Sequence, residues 1–405
     1  MKLFFINRFF YPDHSSTSQL LTDLACRLAQ SNIDVCVVTS RQAYDNPDAI
    51  FEDRDVVQGV HIIRVWSSRF GRQRLWGRAI DYGTFYLSAL WCLLRIVGAG
   101  DVVIAKTDPP LISVIAAVAT KLRGAILMNW IQDLFPEVAS ALAVQGSGWL
   151  ERPLRTLRNR SLLVARRNVV IGEGMAKRLR REGIPSDSIR VIHNWADGLA
   201  IQPIDPEKNE LRREWNLDDK FVVGYSGNFG RAHEFRTILS AAEILRDLTQ
   251  IVFLFIGAGA QLASMRHEVE SKQLRNVMFK PYQPRDQLSM SLSVPDIHVI
   301  SLLPSLEGLI VPSKFYGIAA AGRPMLYIGD KEGEIPQLLQ SAQCGYSVEV
   351  HQAQEAAAVI RGIAQDEYIC GRQGHQARIL FDQRFHKPYA ERAWQTVIAE
   401  ATSPV

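Results

Sequence analysis

Short apolar runs alternate with longer amphipathic segments along the first 195 residues of the chain. The run at residues 3–6 predicts a buried strand, and leucines on one face of residues 18–30 predict a helix. Further strands are predicted at residues 34–39, 60–65, 101–105, 125–129, 169–171 and 189–192, and helices at 80–97 and 111–122. A polar segment at 52–56 leads into the strand at 60–65. Strands that alternate with helices favour a parallel, doubly wound sheet.

The alternation begins again after a polar segment at residues 193–220, which we interpret as the link between two domains. Strands are predicted at residues 221–225, 251–256, 277–280, 297–301 and 325–328, with helices between them. The end of the chain is predicted to be helical at 376–385 and 389–402, with Pro388 marking the break. The pattern therefore predicts an α/β protein with two Rossmann-like domains facing across a cleft.

The composition is that of a globular protein. Hydrophobic residues make up 47% of the 405 residues and charged residues 22%, and this length favours two domains. The net charge of +4 fits anionic partners such as nucleotides or phospholipid head groups. Five scattered cysteines without metal-ligand spacing favour free thiols in a reducing compartment. Because no apolar run suits a signal peptide or reaches the ~18–20 residues of a membrane span, we expect a cytoplasmic protein.

The segment at residues 307–324 gives the strongest indication of chemistry. Pro312 and Ser313 predict a helix start, whose free N–H groups favour an anion, and Lys314 adds a full positive charge. Glu307, just upstream, could accept hydrogen bonds from hydroxyl groups. A diphosphate beside a polyol, as in a nucleotide-sugar, would suit this segment. The alternative is an ordinary strand–helix unit with a surface Lys and a surface Glu.

This segment, EGLIVPSKFYGIAAAGRP, resembles the donor-binding segment of family 4-like glycosyltransferases of the GT-B fold, most closely a bacterial branch that makes surface polysaccharides. The resemblance extends over nearly the whole chain and is strongest at residues 225–328. It implies an acceptor-binding domain at 1–195 and a nucleotide-sugar-binding domain at 196–385. It also implies a C-terminal helix, at 386–405, that crosses back to the first domain.

The loop after the first strand of the second domain departs from the family pattern. Relatives carry a Gly-Arg and then a Lys there, which neutralise the donor diphosphate. Here Gly227, which allows close backbone approach, is followed by Asn228, and His233 stands near the position of the Lys. Arg231 is a candidate to supply the missing charge.

Three further positions belong to the predicted donor site. Gly257 ends a predicted strand and marks the same carboxyl edge of the sheet. In relatives, the turn that corresponds to Tyr282 contacts the base. Ser16 opens the helix after the first strand, where relatives often have a glycine-rich loop; a well-capped helix start is the alternative.

Two more positions depart from the family pattern. Many relatives carry a His that hydrogen-bonds the transferred sugar where this chain has Gln132, which can orient hydroxyls but cannot act as an acid or base. Asp133 and Glu137 could share a helix face, and one of them could bind the acceptor hydroxyl; alternatively, Asp133 caps the next helix and Glu137 is solvated. The second of the family's two glutamates, which usually binds the ribose, is replaced by Gly317, and Glu307 is left to bind the donor sugar.

Two arginine-rich segments of the first half suit an anionic membrane surface. Arg69, Arg72, Arg74 and Arg78 flank a Leu-Trp pair and precede an apolar helix. The apolar residues of that helix are Phe85, Tyr86, Leu90, Trp91 and Leu94. The second cluster consists of Arg152, Arg155, Arg158, Arg160, Arg166 and Arg167. The alternative is a solvated arginine-rich face beside a buried helix. Binding of nucleic acid is not expected, because the sequence contains no nucleic-acid recognition module.

The resemblance implies a glycosyltransferase that moves a sugar, with retention, from a UDP- or GDP-linked donor to a sugar on a polyprenyl diphosphate at the inner face of the cytoplasmic membrane. The residues expected to serve the reaction are Glu307, Lys314, Arg231 and Asp133. Those expected to bind the donor are Gly227, Asn228, His233, Gly257, Tyr282, Pro312, Ser313 and Ser16. No metal or other cofactor is expected, because no Asp-x-Asp follows a strand. Two alternatives stay open: a sugar-nucleotide epimerase of the same fold, and a non-catalytic nucleotide-sugar-binding partner in polysaccharide assembly.

Overall fold

A computed structural model describes residues 1–13, 15–43, 51–71, 75–142 and 147–403 of the chain. The chain divides into two compact units, Met1–His193 with Glu391–Val405, and Asn194–Ala390. Each unit is built on one parallel or mainly parallel sheet with helices packed against it. The predicted α/β class with two Rossmann-like domains is therefore confirmed.

The sheet of the first unit is open and mainly parallel. Its strands, among the described residues, are β1 (Leu3–Ile6), β2 (Val35–Ser40), β3 (Arg54–Val57), β4 (Val60–Val65), β5 (Val102–Lys106), β6 (Ile126–Ile131), β7 (Arg167–Val170) and β8 (Ile189–Val191). Their order is β3-β4-β2-β1-β5-β6-β7-β8, and only β3 pairs antiparallel, with β4. The strand order reverses at β1 and β5, so ligands are expected at the carboxyl ends of these two strands.

The prediction of a non-strand polar segment at residues 52–56 is corrected by the structure, because most of this segment belongs to the edge strand β3. All but one of the β3 residues are exposed, so the strand lacks the alternation that marks a buried face. Gln58 and Gly59 both have positive φ, at 49° and 84°, as a tight hairpin turn requires.

Helices cover both faces of this sheet. They are α1 (Ser16–Gln30), α2 (Leu75–Ile96), α3 (Ile112–Arg123), α4 (Glu137–Ala141), α5 (Ser147–Val164) and α6 (Glu173–Arg181). Phe85, Ala89 and Leu93 recur every fourth residue on α2 and are fully buried in the core on one side of the sheet. The helix α3 packs against both α2 and α5, so these three helices form one layer.

The sheet of the second unit is entirely parallel. Its strands are β9 (Phe221–Ser226), β10 (Ile251–Ile256), β11 (Val277–Lys280), β12 (Ile297–Ser301), β13 (Met325–Ile328) and β14 (Gly345–Val348), in the order β11-β10-β9-β12-β13-β14. Its helices are α7 (Glu210–Glu214), α8 (Arg236–Ile244), α9 (Leu262–Ser271), α10 (Leu288–Leu292), α11 (Lys314–Ala320), α12 (Glu334–Ala342), α13 (Ala353–Ala364) and α14 (Glu367–Arg384). The order reverses at β9 and β12, whose carboxyl ends form the second switch point.

The polar segment predicted as a linker is folded into the second unit from residue 194 onward. Leu211, Trp215 and Leu217 are buried in a core on one side of this sheet. Arg212 is also buried, and its guanidinium donates to the carbonyl of Val294 and to the carboxylate of Asp296, each at 2.9 Å. Because most residues of the segment are polar, the sequence pattern did not reveal these buried residues.

The last helix, α15 (Lys387–Thr402), returns the end of the chain to the first unit. Trp394 is fully buried, and its ring lies 4.8 Å from that of Trp130 on β6. Glu400 accepts hydrogen bonds from Arg167 and Arg190, whose Nε atoms lie 3.2 and 3.0 Å away. The predicted crossing of the C-terminal helix is confirmed.

Pro388 does not mark the break between the last two helices. It lies in the first turn of α15, where a missing N–H costs no helical hydrogen bond, and α14 ends three residues before α15 begins. No helix in the described part of the chain is long and apolar enough to span a bilayer.

Candidate active site

The loops after β9 and β12 meet at the switch point of the second sheet. Lys314 begins α11, and its Nζ lies 3.2 Å from Nε2 of His233, in the loop after β9. The same Nζ lies 4.9 Å from the centroid of the Tyr225 ring. The Lys314 stem packs so closely on Gly227 that an added Cβ there would lie 2.8 Å from Cε. The predicted cation is therefore positioned by the neighbouring β9 loop.

His233 is held as a neutral acceptor facing Lys314. Its Nδ1 lies 2.5 Å from the carbonyl oxygen of Ser301, which can only accept, so Nδ1 carries the hydrogen. The lone pair on Nε2 then accepts from the Lys314 ammonium. Burial and the charge of Lys314 lower the pKa of His233 to about 4, against the opposite effect of its bond to Ser301.

Burial also lowers the pKa of Lys314, to about 8. At neutral pH this pair therefore carries one positive charge, held on Lys314. The charge has few protein partners and is partly removed from water, which strengthens its attraction for an anion. An incoming diphosphate would find this ammonium already positioned.

The start of α11 attracts an anion less strongly than the sequence indicated. The helix has seven residues, and Ser313 precedes it in helical conformation without a side-chain capping hydrogen bond. Ser313 is exposed and Pro312 is buried. A helix start is equivalent to about half a positive charge, so the full charge of Lys314 is the larger attraction.

The carboxylate of Glu307 is turned toward α12. One oxygen accepts from the backbone N–H of Glu334 at 3.0 Å, and the other accepts from the Tyr327 hydroxyl at 3.3 Å. An added Cβ on Gly333 would lie 2.6 Å from the carboxylate, so this approach depends on glycine. Burial raises the pKa of Glu307, although these hydrogen bonds act against the shift. The side chain caps α12, and its predicted contact with the donor sugar stays a prediction.

Gly257, directly after β10, packs against the loop that follows β9. It has a φ of 139°, and an added Cβ would overlap the carbonyl oxygen of Gly227. The N–H of Gly227 donates to Ile256 and that of Gly257 to Lys280, both at 2.9 Å. The structure thus assigns Gly257 a part in seating the loop that carries His233. Its contact with the donor stays a prediction.

Three other predicted donor contacts lie on exposed side chains. Asn228 and Arg231 are exposed in the loop after β9. Tyr282 follows β11 and is 55% exposed. All three are accessible to a ligand, and nothing in their surroundings tests their roles.

Asp133 follows β6 at the carboxyl edge of the first sheet and is exposed. Partial desolvation by the surrounding protein and the like charge of Asp108 raise its pKa to about 6, while Lys106 has the opposite effect. Lys106, at the end of β5, is fully buried; its Nζ donates to the Thr17 carbonyl at 2.9 Å and lies 3.5 Å from the centroid of Trp130. Lys106 was not among the residues predicted from the sequence, although a single Lys ending an apolar strand was a signal.

Glu137 is neither solvated nor available to an acceptor. It is buried, and its two oxygens accept from Nη1 and Nη2 of Arg158, each at 2.9 Å. The residue that precedes α4 is Pro136, whose side chain makes no capping hydrogen bond. The part of the alternative interpretation that leaves Glu137 solvated is therefore wrong, whereas a capping role of Asp133 stays a prediction. Gln132 is buried, and its N–H donates to Thr107 Oγ1 at 2.7 Å.

Ser16 is exposed in the first turn of α1. The carboxylate of Asp13 accepts from the N–H of Ser15 at 2.8 Å, so a negative charge already lies at this helix start. A phosphate at this helix start would be repelled by that charge, but the Ser15 side chain makes no capping hydrogen bond either. The donor contact of Ser16 therefore stays a prediction.

Two family models match the chain in succession. A glycosyl transferase 4-like domain matches residues 17–195, and a glycosyl transferases group 1 domain matches residues 207–379. The chain is 27% identical over 301 residues to the putative colanic acid biosynthesis glycosyl transferase WcaI of Escherichia coli strain K12, covering 71% of this chain and 72% of that protein. It is 28% identical over 252 residues to the probable glycosyltransferase WbjE of Pseudomonas aeruginosa, covering 61% and 62%.

Solved structures share the fold. Anabaena HepE, crystallised with UDP, superposes with a TM-score of 0.72 at 15% identity over 98% of this chain and 100% of that one. WaaG, a glycosyltransferase involved in lipopolysaccharide biosynthesis, superposes with a TM-score of 0.70 at 14% identity over 98% and 99%. The two successive family matches and the two α/β units, each with a switch point, identify this chain as a member of the GT-B glycosyltransferases.

Proposed function

We propose that the protein transfers a sugar, with retention, from a nucleoside-diphosphate sugar to an acceptor hydroxyl during the synthesis of a bacterial surface polysaccharide. The observation that carries the proposal is the Lys314–His233 pair, 3.2 Å apart at the switch point of the second sheet. The colanic acid role in the name of WcaI and the complex of HepE with UDP support it.

Lys314 would act on the leaving group. As the bond between the sugar and the diphosphate breaks, negative charge grows on the diphosphate, and an ammonium held in place stabilises it without reorganisation. His233 holds Lys314 from behind and leaves its other N–H bonds for phosphate oxygens. In a retaining reaction of this kind the leaving diphosphate would help to deprotonate the acceptor on the same face of the sugar. Asp133 would bind and orient that acceptor hydroxyl.

We propose that side chains, rather than a metal ion, neutralise the diphosphate. Lys314 supplies one charge, and Arg231, exposed in the loop after β9, is the candidate for a second. Within the described residues, no group of three or more His, Cys, Asp or Glu side chains is arranged to hold a metal. The expected behaviour is turnover that persists in excess chelator.

The acceptor proposed is a sugar on a polyprenyl diphosphate, and the donor a UDP- or GDP-linked sugar. The protein would then work in the cytoplasm at the inner face of the cytoplasmic membrane. The lipopolysaccharide and colanic acid roles in the names of WaaG and WcaI favour such an acceptor.

The test is an incubation with labelled nucleotide-sugars, with and without a polyprenyl-diphosphate-linked sugar. Transfer of label to the lipid, abolished in Lys314→Met, is the expected result, and the anomeric configuration of the product reports retention. An epimer formed from the donor alone would favour the epimerase. Nucleotide-sugar binding without transfer to any acceptor of the panel would favour the non-catalytic partner.

A further inference from the structure

The outer surface of the layer formed by α2, α3 and α5 is unusually apolar. Among the described residues, twenty large hydrophobic side chains are exposed, and ten lie on these three helices of 22, 12 and 18 residues. The ten are Trp76, Ile80, Leu87, Trp91, Val118, Leu122, Trp149, Leu157, Leu163 and Val164. A concentration of this kind marks a surface that is covered in the working state of the protein.

On α2 the exposed residues form one continuous stripe. Trp76, Ile80, Leu87 and Trp91 are separated by four, seven and four residues, which places them on one face of a helix. Trp76 is 84% exposed and Leu87 71%. The opposite face of α2 carries the buried core residues, so this helix has two apolar faces and only one of them packs against the protein.

The neighbouring helices extend the stripe into a face. Because α3 packs against both α2 and α5, its exposed Val118 and Leu122 belong to the same layer. Trp149, 77% exposed, and Leu163 lie fourteen residues apart on α5, a spacing close to four helical turns. We refer to the ten residues on the three helices as the outer apolar face.

The charges on this layer are almost all positive. The three helices contain eight basic residues and two acidic ones, Asp81 and Glu151. Asp81 is buried and accepts from the N–H groups of Phe70 and Gly71, at 3.0 and 3.1 Å. Glu151 pairs with Arg155 at 3.7 Å. No acidic side chain of these helices is thus left to oppose an approaching anion.

The structure separates the arginines of this surface from those used inside the protein. Arg95 is exposed and lies 4.2 Å over the ring of Trp91, and Arg152 and Arg160 are exposed on α5. Lys121 and Arg123 are exposed on α3, although Nε of Arg123 also donates to the Val97 carbonyl at 2.8 Å. Three arginines predicted to contact an anionic membrane bind other residues of the protein instead. Arg158 pairs with Glu137 and Glu182. Arg166 donates to Ser403, and Arg167 donates to Glu400. Arg72 and Arg74 lie outside the described residues.

We propose that the outer apolar face docks the protein on an anionic phospholipid bilayer. Trp and Leu side chains would enter the head-group region, and the surrounding arginines would pair with lipid phosphates. A second copy of the chain is a poorer occupant, because a twofold interface would set these positive charges against one another. The proposal deepens the proposed function by naming the membrane-facing surface, and it rests on that function only for its biological purpose.

The test is co-sedimentation of the full chain with vesicles of phosphatidylethanolamine and phosphatidylglycerol, compared with phosphatidylcholine vesicles. The wild type should bind the anionic vesicles and be released by 0.5 M NaCl. The triple variant Trp76→Ser, Leu87→Ser, Trp91→Ser should lose at least tenfold in partition coefficient. Arg95→Gln with Arg152→Gln and Arg160→Gln should lose binding to anionic vesicles by a similar factor.

A matched control replaces exposed apolar residues elsewhere. Leu199 and Tyr368 are 82% and 76% exposed in the second unit, and their replacement by Ser should leave partitioning unchanged. Equal binding of the wild type to neutral and anionic vesicles, or wild-type partitioning by both multiple variants, would overturn the proposal. So would a wild-type dimer that the apolar variant converts to a monomer. Since the assay contains neither donor nor acceptor, it can fail while sugar transfer stands, and UDP-glucose stabilisation of each variant checks the donor site separately.

Discussion

Donor binding should depend on pH through Lys314. Its pKa of about 8 in the free protein means that the ammonium is about nine-tenths populated at pH 7 and about one-tenth at pH 9. If the diphosphate binds only the charged form, the dissociation constant should rise roughly tenfold between these pH values, which is about 1.4 kcal/mol. His233 does not add to this change, because its pKa of about 4 keeps it neutral throughout the range.

The assay is calorimetric titration at pH 7, 8 and 9 with the nucleotide-sugar that stabilises the protein most, starting the screen from UDP-glucose. The matched variant is Lys314→Met, which keeps an unbranched stem against Gly227 and removes the charge. Titration of the nucleobase affects both proteins equally, so the difference between them isolates Lys314. Turnover of this variant should fall roughly 10²-fold or more, as expected when a transition-state contact is lost.

Unfolding offers an independent check of the same pKa. Between about pH 8 and the ordinary value of 10.5, Lys314 is neutral in the folded chain and charged in the unfolded chain. The unfolded state then binds more protons, so this residue should make the free energy of unfolding rise with pH across that window. Lys314→Met should lack this contribution. A wild-type dissociation constant that is unchanged from pH 7 to 9, together with normal donor binding by Lys314→Met, would refute the role assigned to the ammonium.

Three other substitutions test the surrounding geometry. Glu307→Gln should lower the free energy of unfolding by about 1–2 kcal/mol in urea titrations, because one of its two accepted hydrogen bonds is lost; unchanged stability would contradict the capping role. Gly257→Ala should cost at least about 2 kcal/mol, since the added Cβ overlaps the Gly227 carbonyl, and thermal unfolding would show it. Asp133→Asn should lower turnover at least tenfold with donor affinity intact, and should remove the rise in rate through about pH 6 that deprotonation of Asp133 gives the wild type.

Many of the strands could be predicted from the sequence almost to the residue. The strand at 60–65 and those at 251–256, 277–280, 297–301 and 325–328 have the predicted bounds. Parallel strands covered on both faces are continuous apolar runs, and such runs are visible without knowledge of the fold. β3 and β14 were missed because their sequences, RDVV and GYSV, contain no apolar run longer than two residues.

The candidate site was predicted in its parts but not in its contacts. The sequence placed Lys314 and His233 on loops after strands, yet they are 81 residues apart, and their meeting depends on β9 and β12 being neighbours in the sheet. Strand order across a sheet is not encoded in local periodicity. For the same reason the sequence could not show that Glu307 reaches the start of α12.

The outer surface of α2 shows a second limit of sequence patterns. This helix carries large apolar residues around most of its circumference, so periodicity alone does not reveal which face is buried. Phe85, predicted to belong to the membrane-contacting helix surface, is fully buried, whereas Leu87, two residues later, is exposed. Only the packing of the sheet beneath the helix assigns each face.

Two departures from the family pattern can be explained together. Asn228 replaces an Arg and removes a positive charge, while Gly317 replaces a Glu and removes a negative one, so these two departures offset each other in charge. Gly317 lies three residues after Lys314 on α11, within reach of it on the same face. A Glu there would pair with Lys314 and draw it away from His233 and the diphosphate.

This explanation predicts coupling between the two positions. Gly317→Glu alone should weaken donor binding roughly tenfold, because the new carboxylate competes for the site's main cation. Adding Asn228→Arg should restore much of the loss, since the exposed position has room for a second cation. The measurement is a double-mutant cycle on the nucleotide-sugar dissociation constant, with thermal unfolding to control for the contact of the new Cβ with Leu292, 3.3 Å away. Strictly additive effects would mean that the two departures are independent and that Lys314 does not govern the charge of the site.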